Sequence, residues 1–249
     1  MHNFQEPEQP DLRSGRGGWE EATNRQQRKI VKTYDQWGVA VRRDLNAAIK
    51  AGKTEAELQA IIDRHIPALE RSMLDVIDEG TKRAAAVSAG DKVTNPKVIA
   101  RIQKGLQQNR ELVQGALIPA MKERLGRKIA GTMGKQAIKG AFDGLKGMPA
   151  QYAGGYWTMI FEVQRDLGFD RERERGTEGL PPEQIRWVLD KSAEHCVSDG
   201  GYYGCVTLAG VYPSWGALKT VPAGQTSCRG NCRCHLEVYR DGTWQRGVY

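Results

Sequence analysis

Apolar residues recur at steps of three and four along most of the first 150 residues, a spacing that restricts this part of the chain to amphipathic helices. From about Ala22 to Lys50 the stripe is Ile30, Tyr34, Trp37, Val41, Leu45 and Ala48, and Ala51-Gly52 ends it. Thr54 and Glu57 have capping-box spacing and open a second helix through Leu58, Ile62, Ile66, Leu69, Met73 and Val76. Pro67 is expected to kink or restart that helix, because it lacks a backbone N–H and its ring crowds the preceding turn. Gly80 is expected near its end. The two helices should pair as an antiparallel hairpin.

Asn95-Pro96 places an N-cap before a proline at the first helical position. Val98, Ile102, Leu106, Val113 and Leu117 carry the stripe onward, and Pro119 is expected to interrupt it. Ile129, Met133, Ile138, Phe142 and Leu145 extend the amphipathic pattern among glycines, which either let helices approach or mark breaks. Tyr156 to Val163 is the most apolar stretch and reads as core, either strand or buried helix. Asp170 to Arg175 reads as a mixed-charge loop or exposed helix end. Pro182 to Ser192 reads as a turn with a short helix or strand, burying Ile185, Trp187, Val188 and Leu189.

The implied fold class is mainly α: an elongated helical N-terminal region with a small cysteine-rich α+β C-terminal module. Residues 1–22, polar and rich in proline and glycine, read as an extended arm. Residues 23–150 form the helical region and 151–249 the α+β module. A hydrophobic content of 39% with 7% aromatic residues suits narrow apolar stripes better than a compact enzyme core. The net charge of +7 favours an acidic partner, nucleic acid or protein. Between Met121 and Lys146 the cations Lys122, Arg124, Arg127, Lys128, Lys135, Lys139 and Lys146 face only Glu123 and Asp143. This stretch is either a phosphate-binding face or a solvated one.

The chain's 5 cysteines, Cys196, Cys205, Cys228, Cys232 and Cys234, all fall in its last quarter. The polar start carries no secretory signal, and no run of about 18 apolar residues suggests a membrane span. A reducing cytosol is therefore expected, where clustered cysteines are more often metal ligands than disulfides. Zn²⁺ takes four such ligands in a tetrahedron, drawn here from two segments. Cys196 and Cys205 form the first, and Cys228, Cys232 and Cys234 the second, with His195 and His235 in reserve. Residues two apart on a strand share a face, so Cys232 and Cys234 should point the same way. The eight residues between Cys196 and Cys205 exceed ordinary ligand spacing, but Gly200, Gly201 and Gly204 could fold that loop back. An all-cysteine site would be closed and structural. One or two disulfides, or simply buried thiols, are the alternatives. Leu208, Val211, Trp215, Leu218 and Leu236 are expected to pack around the site.

No catalytic constellation assembles. The chain lacks the helical zinc-protease pair of histidines, the zinc-deaminase pattern and a P-loop. Asp63-Arg-His65-Ile-Pro67 faintly resembles a histidine-based nuclease motif but sits on a helical stripe, where a surface histidine is the simpler reading. The chain therefore reads as a non-enzyme.

Three segments carry a resemblance: Ile185-Arg-Trp-Val-Leu-Asp190-Lys-Ser-Ala-Glu-His195-Cys196, Cys205-Val-Thr-Leu-Ala-Gly210 and Thr226-Ser-Cys-Arg-Gly-Asn-Cys-Arg-Cys-His-Leu236. Together they resemble the C-terminal module of tailed-bacteriophage head morphogenesis (minor capsid) proteins. The end Asn231-Cys-Arg-Cys-His-Leu236 is similar to the signature shared with the Mu gpF-like branch. About 55 residues are covered closely, and the eight-residue gap after Cys196 is longer than is usual in that family. The resemblance implies a virion protein at the portal vertex, in several copies, assembled in the host cytoplasm. It would contact the portal protein or major capsid protein, with packaged DNA as a further contact. The first rival reading is a sequence-independent nucleic-acid-binding protein with a structural zinc module. The second is a nuclease or toxin-like effector.

Overall fold

A computed structural model describes residues 17–130, 135–190, 197–198, 200–222, 224–227 and 234–246. The chain is mainly helical, with a small four-stranded antiparallel sheet in its C-terminal region. Helix α1 (Gly17–Lys50) and helix α2 (Glu55–Ala89) form the expected antiparallel hairpin. Each is roughly 50 Å long at 1.5 Å per residue. Gln26 Nε2 donates to the Val76 carbonyl at 2.8 Å and Trp37 Nε1 to that of His65 at 2.9 Å, so the positions run in opposite directions. Gly52 supplies the positive φ of 71° in the connecting turn, and Thr54 and Glu57 close a complete capping box.

Several expectations about breaks are corrected. α1 starts at Gly17, inside the segment read as an arm; residues 1–16 lie outside the described residues. Pro67 does not divide α2, which runs on through Gly80 to Ala89. The penalty for an internal proline, about 3 kcal/mol, is offset by burial on both sides of it. Ile62, Leu69 and Met73 are each fully buried, and burying such a side chain contributes about 1.5–3 kcal/mol. Helix α3 (Pro96–Leu112) begins at the predicted cap, with Asn95 Oδ1 accepting from Lys97 N at 2.9 Å. Pro119 does not end the helical path either. The chain widens into a π-turn at Val113–Leu117 and continues as α4 (Ile118–Ala130), so the residue that cannot donate sits just beyond a turn whose bonding is already rearranged.

Helices α5 (Lys135–Asp143) and α6 (Gly147–Ala150) follow, then α7 (Gly154–Thr177). The apolar stretch from Tyr156 is thus buried helix rather than strand, and Asp170 to Arg175 is its outer end. Strand β1 (Ile185–Val188) lies between β2 (Gly210–Tyr212) and β3 (His235–Arg240), and β4 (Thr243–Arg246) completes the order β2-β1-β3-β4, all antiparallel. A one-turn helix, α8 (Cys205–Leu208), precedes β2.

Two hydrophobic cores result. One joins α1 and the first half of α2 to the π-turn, α4 and α5, through Ile30, Tyr34, Leu58, Met73, Met121 and Phe142. The other joins Ala84, Ala85 and Ala89 of α2 to Ile160 and Val163 of α7 and to the inner face of the sheet. Helix α2 belongs to both. Among the described residues no helix is long and apolar enough to cross a membrane.

Candidate metal centre

The cysteine region is built on the inner face of the sheet. Along β1, Ile185 and Trp187 point into the core, while Val188 and the following Leu189 are only partly buried. Leu236 and Val238 of β3 face inward with Cys234, which immediately precedes the strand. The alternation therefore fixes Cys234 on the core side. Trp215, fully buried, lies against α7 where Gly168 provides the space: a Cβ on that glycine would fall 2.4 Å from the indole. The Trp215 backbone N–H donates to Glu172 Oε1 of α7 at 2.6 Å. Leu208, Leu218 and Leu236 are buried as expected, but Val211 is 56% exposed. Its phase is set by pairing with Arg186, whose side chain lies on the outer face of the sheet, and not by its apolar character.

The long gap after Cys196 is folded back on itself. Gly200 and Gly201 take positive φ of 52° and 84°. Gly204 N then donates to Ser198 Oγ at 3.0 Å. A Cβ at Gly204 would lie 2.6 Å from the backbone of Val197 and Ser198, so only glycine permits this approach. The loop thus closes between Val197, the neighbour of Cys196, and Gly204, the neighbour of Cys205. The two cysteine segments are also tied together. Tyr203 and Thr226 form a parallel bridge, with Tyr203 N donating to the Gln225 carbonyl and Ser227 N to the Tyr203 carbonyl, each at 3.0 Å. Ser227 directly precedes Cys228 in sequence.

Cys205 and Cys234 are 2% and 3% exposed and share one core. Cys196, Cys228 and Cys232, with His195, lie outside the described residues, and so does the predicted shared face of Cys232 and Cys234. Among the described residues no group of three His, Cys, Asp or Glu side chains is placed to hold a metal ion. The parts that can be assigned are the closures: Val197–Gly204, Tyr203–Thr226, and the inward phase of Cys234. Thr226, fully buried, enters the sequence reading only as the first residue of a resembling segment, and Ser198 has no part in it. Each lies two residues from a cysteine.

His235 is removed from the ligand candidates. It faces outward from Cys234 on β3, with Nε2 3.1 Å from Glu237 Oε1 and Nδ1 3.2 Å from Arg246 Nη2. Arg246 can only donate, so Nδ1 accepts and Nε2–H donates to the carboxylate, leaving a neutral ring with both nitrogens engaged. Burial, reinforced by the Arg246 charge, holds its pKa below the ordinary histidine value. Strand alternation could have predicted this, since adjacent strand residues face opposite ways.

The other sequence candidates also resolve into paired groups. His65 Nε2 lies 2.9 Å from Asp44 Oδ2, and its side chain is 18% exposed, so it is a partnered, half-buried histidine rather than a surface one. Asp63 is bonded by Gln59 Nε2 at 2.8 Å and paired with Lys122 at 3.2 Å. In the basic stretch, Arg127 pairs with Glu123, Lys139 with Asp143, and Lys146 with Asp35 and Asp143. Much of that positive charge is therefore answered within the protein, which weakens the phosphate-binding reading of Met121 to Lys146. Comparison with known proteins adds no relative: no family model, curated protein or solved structure matches the chain.

Proposed function

We propose that this chain is a non-enzymatic virion protein, a tailed-phage head morphogenesis or minor capsid protein acting at the portal vertex, with a C-terminal module stapled by Zn²⁺. The observation that carries this reading is that the described parts of the resembling segments at Ile185, Cys205 and Thr226 come together. They are joined by the β1–β3 ladder and the Tyr203–Thr226 bridge. The donor set suits zinc: Cys205 and Cys234 are buried in one core, and Cys196 and Cys228 adjoin in sequence the closures just described. Trp187 Nε1 is buried in the same core without a hydrogen-bond partner among the described residues, leaving a donor of the kind from which an anionic sulfur cluster accepts. Zinc bound there would contribute folding free energy to a loop-rich segment and would supply no open coordination position for chemistry.

Elemental analysis of reduced, purified protein should find one zinc per chain, with one cysteine reactive to a thiol reagent in the native state. Zinc-free protein with few reactive thiols would replace the metal with disulfides. The assembly role is tested by co-expression with the portal protein encoded by the same genome. The two should co-elute in size-exclusion chromatography, and separate elution at micromolar concentration would remove portal attachment from the reading.

A further inference from the structure

An open groove of about 870 Å³ runs along the outer face of α1, walled on its other side by α5 and the turn into α6. It belongs to the helical hairpin and is built from none of the cysteine-bearing segments. Five cations line it: Arg28, Lys32 and Arg42 from α1, with Lys139 and Lys146 opposite. Among the described residues two carboxylates share the lining, Asp35 and Asp143, and both are already engaged. Lys139 lies 2.9 Å from Asp143, and Lys146 lies 3.1 Å from Asp35. The Arg42 guanidinium stands 5.5 Å from the centroid of the buried Phe142 ring. Arg28 and Lys32 are exposed, one helical turn apart, and have no carboxylate within ion-pair distance among the described residues. The concavity therefore holds a surplus of three positive charges. Val31 and Val39 lie between these cations, and Val39 is 60% exposed.

These features select among anionic partners. Binding of single-stranded nucleic acid gains much of its energy from bases stacked on aromatic side chains, and among the described residues no aromatic side chain lines the groove. Carboxylates on a flexible chain can meet Arg28 and Lys32 while aliphatic side chains cover the two valines. The distance from Gln27 to Arg42 along α1 is roughly 22 Å at 1.5 Å per residue, which matches about seven residues of extended chain at 3.3 Å each. We propose that this groove docks an acidic, partly aliphatic peptide segment of a partner protein. This holds independently of the virion reading.

The test is fluorescence anisotropy with a fluorescein-labelled seven-residue peptide of alternating glutamate and valine, beside a labelled twelve-nucleotide oligothymidylate. Reversing Arg28→Glu with Lys32→Glu should weaken peptide binding at least tenfold while far-UV circular dichroism stays unchanged. Val39→Asp should weaken it as well. A control with the same change in net charge, Lys82→Glu with Arg110→Glu on other helices, should leave the affinity within twofold. An equal loss in the control would reduce the effect to bulk charge and overturn the proposal. So would oligothymidylate binding more tightly than the peptide and losing affinity on groove reversal, which would make the groove a nucleic-acid surface.

Discussion

Replacing Trp215 with alanine should lower the free energy of unfolding by about 3–5 kcal/mol, the range for deleting a large aromatic from a core. The upper part of that range is expected because the site has little means to collapse. The indole is fully buried and fills a notch in α7 made by Gly168, which has no side chain to move into the space. The turn carrying Trp215 is also fixed to α7 by its backbone bond to Glu172. Urea denaturation followed by circular dichroism reads the loss directly. A cost under about 1 kcal/mol, well below that core range, would show that the indole is not held as described.

Glu183→Leu should be comparably damaging for a different physical reason. The Glu183 side chain is 2% exposed and lies between two cations, Arg171 Nε of α7 at 3.0 Å and Arg240 Nε of β3 at 2.9 Å. Removing one member of a buried ion pair costs about 3–5 kcal/mol, because the remaining charge keeps its desolvation without its partner. Arg171 is 37% exposed in its side chain and can turn to water, whereas Arg240 is 14% exposed and cannot do so freely. The deficit therefore falls on Arg240. Adding Arg240→Met to Glu183→Leu should restore part of the stability, so that the double variant loses less than the two single losses combined. Strict additivity would mean that the pair does not interact.

The helical part was legible because its signals are local. The stripe from Ile30 to Ala48, the Thr54–Glu57 box and the Asn95-Pro96 start each depend on residues within one or two turns, and each stands as read. Where the sequence reading failed, the cause lay in packing or in rearranged backbone bonding that the residue pattern does not display. Pro67 is tolerated because residues on both sides are buried in the hairpin, and Pro119 because a π-turn precedes it. Val211 faces out because a three-residue strand takes its phase from its neighbour. At the cysteines, clustering in sequence indicated a shared structure but not how it closes. Gly204 could be suggested as a fold-back point, but its contact with Val197 and Ser198, and the pairing of Tyr203 with Thr226, join residues that no short-range pattern relates.

Helix α2 lends Leu58 to Ile77 to one core and Ala84 to Ala89 to the other without a break. Neither end of the described molecule can loosen without exposing a wall of its neighbour. Among the described residues, one continuous helix thus joins the hairpin core to the sheet core. A protease that severs α2 would therefore open both cores at once.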